Sequence, residues 1–327
     1  MQTREHAAVR PSELPLRPQD ESECRRCGVH CDKVVYPGAC LEKGCPFLYS
    51  FQEFGHTYVG CMQKVFDVDI DFDLLRAAEA RRGGFGAVTV HALYLLNLAS
   101  PKDDFYEKSV TTLRSTVDTA CAIGADAVVF HVGSHLGSGF EAGLERVVPA
   151  LAQALERCSD TTWLCMENTA GTGGTIGRSL DELAALYEAL DRHERLGVCL
   201  DSCHLYASGY DVTDPAELDK LVREFNRQIG LDRLRCLHVN DSKTPLGSNR
   251  DRHDNIGDGL MGEKLGVFLG HPKLQGLPAL LEVPGSGHGP DAEQMKKLRE
   301  LYARATKRSG RKPGMKARRP AARGTRG

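Results

Sequence analysis

The sequence predicts an α/β fold of the TIM type, a (βα)8 barrel. Over residues 84–305, short apolar segments of the length of buried parallel strands alternate with longer amphipathic segments of helical period. Nearly every apolar segment ends in a histidine or an acidic residue. The carboxyl ends of the strands surround the active site of a βα barrel, so these polar side chains are expected to converge.

Six segments are predicted as parallel strands. They are residues 87–90, 127–130, 162–166, 197–200, 234–238 and 279–283. A closed barrel has eight strands, so the first two must come from residues 1–83 or be absent. The predicted fold is therefore a TIM-type barrel that is either complete or lacks its two N-terminal strands.

Five amphipathic segments predict the helices that follow these strands. They are residues 104–123, 141–157, 179–192, 215–229 and 291–304. The third opens with Ser179 and Glu182 at the spacing of a capping box. The fourth opens with Asp214 as the N-cap and Pro215 at the first helical position. Each segment repeats apolar residues every three or four positions, so one face of each helix should pack on the sheet.

The N-terminal region differs in composition from the predicted barrel. Residues 1–23 are polar and rich in proline, and are predicted to be disordered. Residues 24–83 form a cysteine-rich module and linker, in which 57–70 alternate like one or two strands and 71–82 have a short helical pattern. The module contains Cys24, Cys27, Cys31, Cys40, Cys45 and Cys61. Their spacing suits a zinc ion or an iron–sulfur cluster, and the alternative is a small packed unit with reduced cysteines.

Positive charge is concentrated at the C-terminus. The formal net charge is −2, yet residues 307–327 carry nine Lys or Arg and no acid, which leaves −11 on the rest of the chain. Residues 306–327 are predicted to form a basic, disordered tail. A body this acidic does not attract a polyanion by bulk charge, and would need a metal cluster or a local basic surface to bind one.

The sequence predicts neither a membrane span nor a secretory signal. It has no apolar segment of about 18 residues, and its first residues lack an apolar core. A cytoplasmic location is therefore expected, where cysteines stay reduced. The remaining cysteines lie in helix or strand patterns and are expected to be small buried apolar residues. These are Cys121, Cys158, Cys165, Cys199, Cys203 and Cys236.

Nine side chains of metal-ligand type stand at the strand ends or in the loops after them. They are His91, His131, Glu167, Asp201, His204, His238, Asp251, His253 and Glu282. Imidazoles mixed with carboxylates suit zinc, manganese or iron better than calcium or magnesium. With four-coordinate zinc and one bridging carboxylate, nine ligands can hold three ions. Such a cluster binds phosphate oxygens and lowers the pKa of bound water, which favours phosphodiester hydrolysis.

A structural role is the simpler explanation for any one of these residues taken alone. A single histidine or aspartate near a strand end is more often a hydrogen-bonded structural group than a ligand. The same placement at six consecutive strands is not explained by packing.

Seven segments around the predicted ligands form a recognisable set of motifs. They are His91-Ala-Leu-Tyr-Leu-Leu-Asn-Leu98, Phe130-His-Val-Gly-Ser-His-Leu136, Met166-Glu-Asn-Thr-Ala-Gly171, Val198-Cys-Leu-Asp-Ser-Cys-His204, Leu237-His-Val-Asn-Asp-Ser-Lys243, Asp251-Arg-His253 with Asn255-Ile-Gly-Asp-Gly259, and Leu281-Glu-Val-Pro284. Together they resemble the endonuclease IV family of apurinic/apyrimidinic endonucleases. The resemblance extends from residue 87 to about 304. It implies a zinc-dependent hydrolase of base excision repair. Such an enzyme cuts double-stranded DNA 5′ to abasic sites and leaves 3′-hydroxyl and 5′-deoxyribose phosphate ends.

The resemblance also assigns the ligands to three zinc ions. The first set is His91, His131 and Glu167. Glu167 bridges to a second ion, which is completed by Asp201, His238 and Glu282. The third set is His204, Asp251 and His253. Glu167, together with the metals, is implied to position the attacking hydroxide.

Two residues after the first of these strands are implied to enter the DNA at the abasic site. These are Tyr94 and Leu95, an aromatic and an apolar wedge that could stabilise a kinked duplex. For Leu95 the alternative is packing in the core. Further candidates for contacts with the ligands or with phosphates are Asn97, Ser134, Asn240 and Lys243.

The N-terminus departs from the family pattern. The first two βα units of the family, with a loop that inserts side chains into DNA, have no counterpart before residue 87. Two other functions stay open, the second of them because of this departure. One is a sugar isomerase or epimerase on a related single-metal barrel, for which Glu167, Asp201, His238 and Glu282 would suffice. The other is a catalytically impaired DNA- or metal-binding protein. The protein is expected to be a monomer in each case.

Overall fold

The computed structural model describes residues 48–53, 56–61, 86–287 and 289–308, with side chains described for 86–287 and 289–307. Five of the six module cysteines lie outside these residues. So do the predicted helix at 71–82 and most of the predicted basic tail. The chain divides into two compact units, Met1–Leu75 and Arg76–Gly327.

The first unit contains an antiparallel hairpin. Strand β1 (Leu48–Glu53) pairs with β2 (His56–Cys61) in a register that runs from Leu48 opposite Cys61 to Glu53 opposite His56. Strand β2 overlaps the alternating segment 57–70, whereas β1 was not predicted. A metal site in the cysteine-rich module stays a prediction, since only Cys61 of its cysteines lies in the described part.

The second unit is built on a parallel sheet. Its strands are β3 (Thr89–His91), β4 (Ala127–Phe130), β5 (Trp163–Glu167), β6 (Leu196–Asp201), β7 (Leu234–His238), β8 (Asp241–Ser242), β9 (His253–Asp254) and β10 (Ala279–Leu280). Six of these form one sheet in the order β10-β7-β6-β5-β4-β3, and every pairing in it is parallel. Strands β8 and β9 form a separate antiparallel pair. All six predicted strands are confirmed, and the sheet of the described residues is that of a TIM-type barrel lacking two strands.

Helices lie between successive strands of the sheet, and a last helix follows β10. They are α1 (Asp103–Ile123), α2 (Phe140–Leu155), α3 (Leu180–Ala189), α4 (Ser202–Ser208), α5 (Pro215–Gln228), α6 (Leu265–Gly270) and α7 (Ala292–Arg308). The five predicted helices are confirmed, and the two short helices α4 and α6 were not predicted. None of the described helices is both long and apolar enough to cross a membrane.

The N-caps of α5 and α3 show how side chains set helix starts. Asp214 accepts hydrogen bonds from the first N–H groups of α5, as predicted. Ser179 accepts the N–H of Glu182, which is one half of a capping box. The other half is absent from this turn, because the Glu182 carboxylate accepts the N–H groups of Gly177 and Arg178 instead.

The two faces of the sheet bury different side chains. Large apolar residues such as Val128, Phe130 and Leu164 pack under the helices in the main core. The opposite face carries smaller residues: Ala127, Val129, Cys165, Cys199 and Cys236. Four of the six cysteines predicted to be buried are buried. The prediction is wrong for Cys121, near the end of α1, and for Cys158, three residues after α2, which are half-buried.

Candidate metal centre

The alternation of β-strands directs the predicted ligands to one place. Successive side chains of a strand point to opposite faces, so a residue two positions after an inward-facing one also faces inward. Three ligands follow inward-facing cysteines in this way. The pairs are Cys165 and Glu167, Cys199 and Asp201, and Cys236 and His238. Because the strands are parallel, their carboxyl ends lie at the same edge, and the structure brings all nine predicted ligands to that edge.

Glu167 lies at the centre of the cluster. It is fully buried, and each of its oxygens faces imidazole nitrogens. Its Oε2 lies 3.1 Å from His91 Nε2 and 3.7 Å from His131 Nε2. Its Oε1 lies 2.9 Å from His238 Nδ1 and 3.3 Å from His204 Nδ1. A carboxylate with ligand atoms on both sides has the geometry to bridge two cations.

A second group of donor atoms forms around His238. His238 Nδ1 lies 3.1 Å from Glu282 Oε2. Glu167, Asp201, His238 and Glu282 each offer one donor atom within 4.8 Å of the others. The same criterion groups His91 with Glu167 and His238. His131 belongs to none of the groups that this criterion finds, and its nearest carboxylate oxygen is Glu167 Oε2 at 3.7 Å.

The third group has the spacing expected for one tetrahedral ion. His204 Nε2 lies 3.3 Å from His253 Nε2 and 3.3 Å from Asp251 Oδ2. His253 Nε2 lies 3.3 Å from Asp251 Oδ1. Two ligands of a tetrahedral zinc ion, each about 2.1 Å from the metal, are about 3.4 Å apart. Two imidazole nitrogens and a carboxylate facing one another at this distance fit such an ion.

Hydrogen bonds select which ring nitrogen of two histidines faces the cluster. His91 Nδ1 lies 2.7 Å from the carbonyl of Ala92, and His204 Nδ1 lies 2.9 Å from the carbonyl of Asn168. A ring nitrogen bonded to a carbonyl carries the proton, so the Nε2 of each ring is left as an acceptor for a metal.

The charges of the cluster shift the pKa values of its members. Burial by itself would raise the pKa of Glu167, but the charges of His238 and His131 hold it well below its usual range. Burial would lower the pKa of His238, but Glu167 and Glu282 raise it well above the ordinary value. Burial prevails at His131 and lowers its pKa. Glu167 therefore stays ionised and favours positive charge beside it, on the imidazoles or as metal cations.

Two buried asparagines hold the ligands, and only one of them was singled out from the sequence. Asn168 Oδ1 accepts the N–H of Asp201 at 2.7 Å. Asn240 donates to Asp201 Oδ2 at 2.5 Å and accepts the N–H of Glu282 at 2.7 Å. Asn240 was a candidate, whereas Asn168 was missed although it follows Glu167 directly in the chain. Both amides connect neighbouring strand ends, which fixes the orientation of the ligands.

Asp241 organises the loop beside the cluster and was also missed. It is fully buried, and its carboxylate accepts hydrogen bonds from five backbone N–H groups. These donors are Ser242, Gly257, Gly259, Met261 and Gly262. Gly259 is required there, because a Cβ at that position would lie 2.5 Å from Asp241 Oδ1.

Replacing Asp241 by asparagine is expected to destabilise the fold by about 2–4 kcal/mol, since the new amide would face N–H donors and leave several of them without acceptors. The free energy of unfolding in urea measures this effect. The exposed Asp160→Asn is the matched control and should change stability by less than about 0.5 kcal/mol. An Asp241→Asn protein as stable as the wild type would show that this carboxylate is dispensable.

Tyr94 and Leu95 project from the loop after β3. Their side chains are 65% and 68% exposed, so the core-packing alternative for Leu95 is wrong. The Tyr94 ring meets the His131 ring edge-on, with centroids 5.4 Å apart. Of the other candidates, Asn97 and Ser134 bond to each other in the loops, and Lys243 is exposed.

A cleft of about 320 Å³ opens next to the third donor group. It is lined by Thr172, Thr244, Arg250, Asp251 and Arg252. Arg250 and Arg252 are exposed, so the loop that supplies Asp251 and His253 also supplies two cations. This is a local basic surface on an otherwise acidic body.

Comparisons with known proteins agree with this architecture. A profile of the xylose isomerase-like TIM barrel family matches residues 52–305. A protein named probable endonuclease 4 from Chloroflexus aggregans is 40% identical over 227 residues, which cover 68% of this chain and 79% of that protein. The solved structure of endonuclease IV from Thermus thermophilus is 32% identical, with a TM-score of 0.61, over 74% of this chain and 83% of that one.

A more distant structure shares the fold alone. A D-tagatose 3-epimerase-like protein has a TM-score of 0.54 at 20% identity, over 72% of this chain and 85% of that one. The family profile begins at residue 52, before the segment in which the sequence motifs occur. The profile match, the 40% identical relative and the fold together place the chain in the endonuclease IV family of xylose isomerase-like TIM barrels.

Proposed function

We propose that the protein is a zinc-dependent endonuclease of base excision repair. It hydrolyses the phosphodiester 5′ to an abasic site in double-stranded DNA and leaves a 3′-hydroxyl and a 5′-deoxyribose phosphate. The observation that carries this proposal is the third donor group. His204, Asp251 and His253 lie at ligand spacing in addition to the residues that one metal would need.

The donor sets divide among three zinc ions. His91, His131 and Glu167 would hold the first. Glu167 would bridge to the second, with Asp201, His238 and Glu282, and His204, Asp251 and His253 would hold the third. Zinc held by these residues would supply Lewis-acid chemistry, namely binding of phosphate oxygens, a lower pKa for a bound water and stabilisation of the leaving alkoxide.

The chain's own residues position the substrate around this centre. Glu167, whose oxygens face both sides of the cluster, orients the attacking water. Arg250 and Arg252 neutralise phosphates beside the scissile bond. Tyr94 and Leu95 fill the space in the duplex next to the abasic position, where there is no base to stack.

The epimerase alternative uses only part of this site. A single metal would need Glu167, Asp201, His238 and Glu282, which leaves the close packing of His204 with Asp251 and His253 without a purpose. That packing favours the nuclease. The alternative of a catalytically impaired protein is motivated by the sheet of the described residues, which has six strands where a closed barrel has eight. A measurement of cleavage separates this alternative from the nuclease.

The test is an incision assay on a duplex with one abasic site and a label at the 5′ end of the cut strand. The proposal expects a labelled product with a 3′-hydroxyl that a polymerase extends, and loss of cleavage after zinc is removed by chelation. Binding without incision would indicate the impaired protein. A protein that neither binds nor cuts the duplex, but turns over a ketose, would be the epimerase.

The basic tail is expected to strengthen DNA binding through counterion release. Replacing its nine Lys and Arg by glutamine in the full-length chain leaves α7 at its natural length. This variant should bind an abasic duplex more weakly at low salt and similarly at high salt, because each phosphate contact adds about 0.9 to the slope of log affinity against log salt. Fluorescence anisotropy over a salt series measures the slope. Superimposable salt curves for the variant and the wild type would exclude a role for the tail.

A further inference from the structure

Leu136, in the loop after β4, combines two unfavourable features. Its side chain is 56% exposed, and its backbone has a φ of +49°, in the left-handed region. That conformation costs a residue with a branched side chain about 1–2 kcal/mol. The other non-glycine residues of this kind in the described part of the chain are Asp191, Arg192 and Asn249, all of them polar. An exposed leucine held in such a conformation indicates a functional constraint.

Hydrogen bonds fix the conformation of this leucine. The Leu136 N–H donates to Ser134 Oγ at 3.1 Å, and Ser134 Oγ donates to the carbonyl of Gly173 at 2.6 Å. His135 Nδ1 accepts the N–H groups of Gly137 and Gly139 at 3.2 and 3.1 Å. These bonds hold the loop backbone in its left-handed conformation at Leu136, and the Leu136 side chain is exposed to solvent.

The same loop is bonded to its neighbours at the mouth of the metal centre. The Ser134 N–H donates to Asn97 Oδ1 at 2.9 Å, and Asn97 lies two residues after Leu95. Gly133 allows this approach, because a Cβ there would lie 2.6 Å from the Asn97 Cα. On the other side, Thr172 Oγ1 donates to the carbonyl of Asn249 at 2.6 Å, next to Arg250.

These bonds join four loops beside the donor groups into one hydrogen-bonded series, called the rim below. The rim carries four exposed apolar side chains, Tyr94, Leu95, Leu136 and Leu246, of which Leu246 is the least exposed at 42%. The same rim carries the cations Arg250 and Arg252. A nucleic acid offers a matching surface, since its charged phosphates alternate with the apolar faces of sugars and bases.

We propose that Leu136 is a third apolar DNA contact, which packs against the sugar and base faces of the duplex beside the abasic position. This inference rests on the proposed function and deepens it, because Leu136 would determine affinity for the bent duplex and not the chemical step. The hydrogen-bonded loop limits the backbone entropy lost on binding, since the loop conformation is already fixed.

The test compares Leu136→Asn with Leu136→Met. Asparagine tolerates the left-handed conformation, so Leu136→Asn should melt at the same temperature as the wild type or higher. It should also raise Kd and KM for an abasic duplex about tenfold, with kcat within about threefold. Leu136→Met keeps an apolar side chain and should bind within about threefold of the wild type.

Two matched controls should leave DNA affinity unchanged. Asp191→Asn changes another residue with a left-handed backbone, in the turn before β6 at the opposite end of the strands. Met295→Gln removes another exposed apolar side chain, on α7. Both variants should bind the abasic duplex like the wild type.

Wild-type affinity and KM in Leu136→Asn would overturn this inference while the proposed function stands. A lower melting temperature in both Leu136 variants, with equal losses of affinity, would make the residue structural and also overturn it. A wild-type protein that neither binds nor cuts the abasic duplex would overturn the inference together with the proposed function.

Discussion

The Glu167→Gln protein is expected to lose cleavage of an abasic duplex, with kcat reduced at least about 10³-fold, or about 4 kcal/mol in the activation barrier. Glutamine has the same shape but replaces one anionic oxygen by an amide that cannot bind a cation. The two Glu167 oxygens face His91 and His131 on one side and His204 and His238 on the other. Loss of either oxygen therefore disconnects the two sides of the cluster.

Single-turnover cleavage, with the zinc content of the same preparation, measures this effect. Glu145→Gln, at an exposed position on α2, is the matched control and should cleave and bind zinc like the wild type. A circular dichroism melt confirms that the Glu167 variant is folded. Undiminished cleavage by a folded Glu167→Gln protein would remove the bridging role.

The His253→Asn protein is expected to lose one zinc ion and to cleave about 10²–10³-fold more slowly. His253 Nε2 lies 3.3 Å from both His204 Nε2 and an oxygen of Asp251. Without this imidazole the third group keeps only two donors, while the donors around Glu167 remain.

This variant separates the nuclease from the single-metal epimerase. An epimerase site at Glu167, Asp201, His238 and Glu282 would lose no ion. His193→Asn, in the turn before β6, is the control, because its Nδ1 accepts the N–H of Arg195 at the amino end of the strands, opposite the donor groups. Unchanged zinc content and unchanged cleavage in His253→Asn would show that the third group holds no metal.

The strands and the convergence of the ligands were predictable because both follow from local patterns. Apolar segments of strand length locate β3 to β7 and β10, and the period of two directs Glu167, Asp201 and His238 to the inward face. The order of the strands then follows from the chain, since consecutive parallel strands in the sheet are neighbours.

The supporting groups were less predictable because their partners are distant backbone atoms. The carboxylate of Asp241 bonds to N–H groups up to 21 residues away in sequence. Asn168 and Asn240 bond to the backbones of residues 33 and 42 positions away. The left-handed conformation of Leu136 has no sequence signal either, since leucine rarely adopts it and only the bonds of Ser134 and His135 make it stable.

Diffraction from crystals of the purified protein, recorded at the zinc absorption edge, tests the central claim most directly. The account predicts three anomalous peaks at the carboxyl ends of the strands. One should lie among His91, His131 and Glu167, one among Glu167, Asp201, His238 and Glu282, and one among His204, Asp251 and His253. A single peak beside His238, or none at these residues, would contradict the trinuclear site and the nuclease mechanism derived from it.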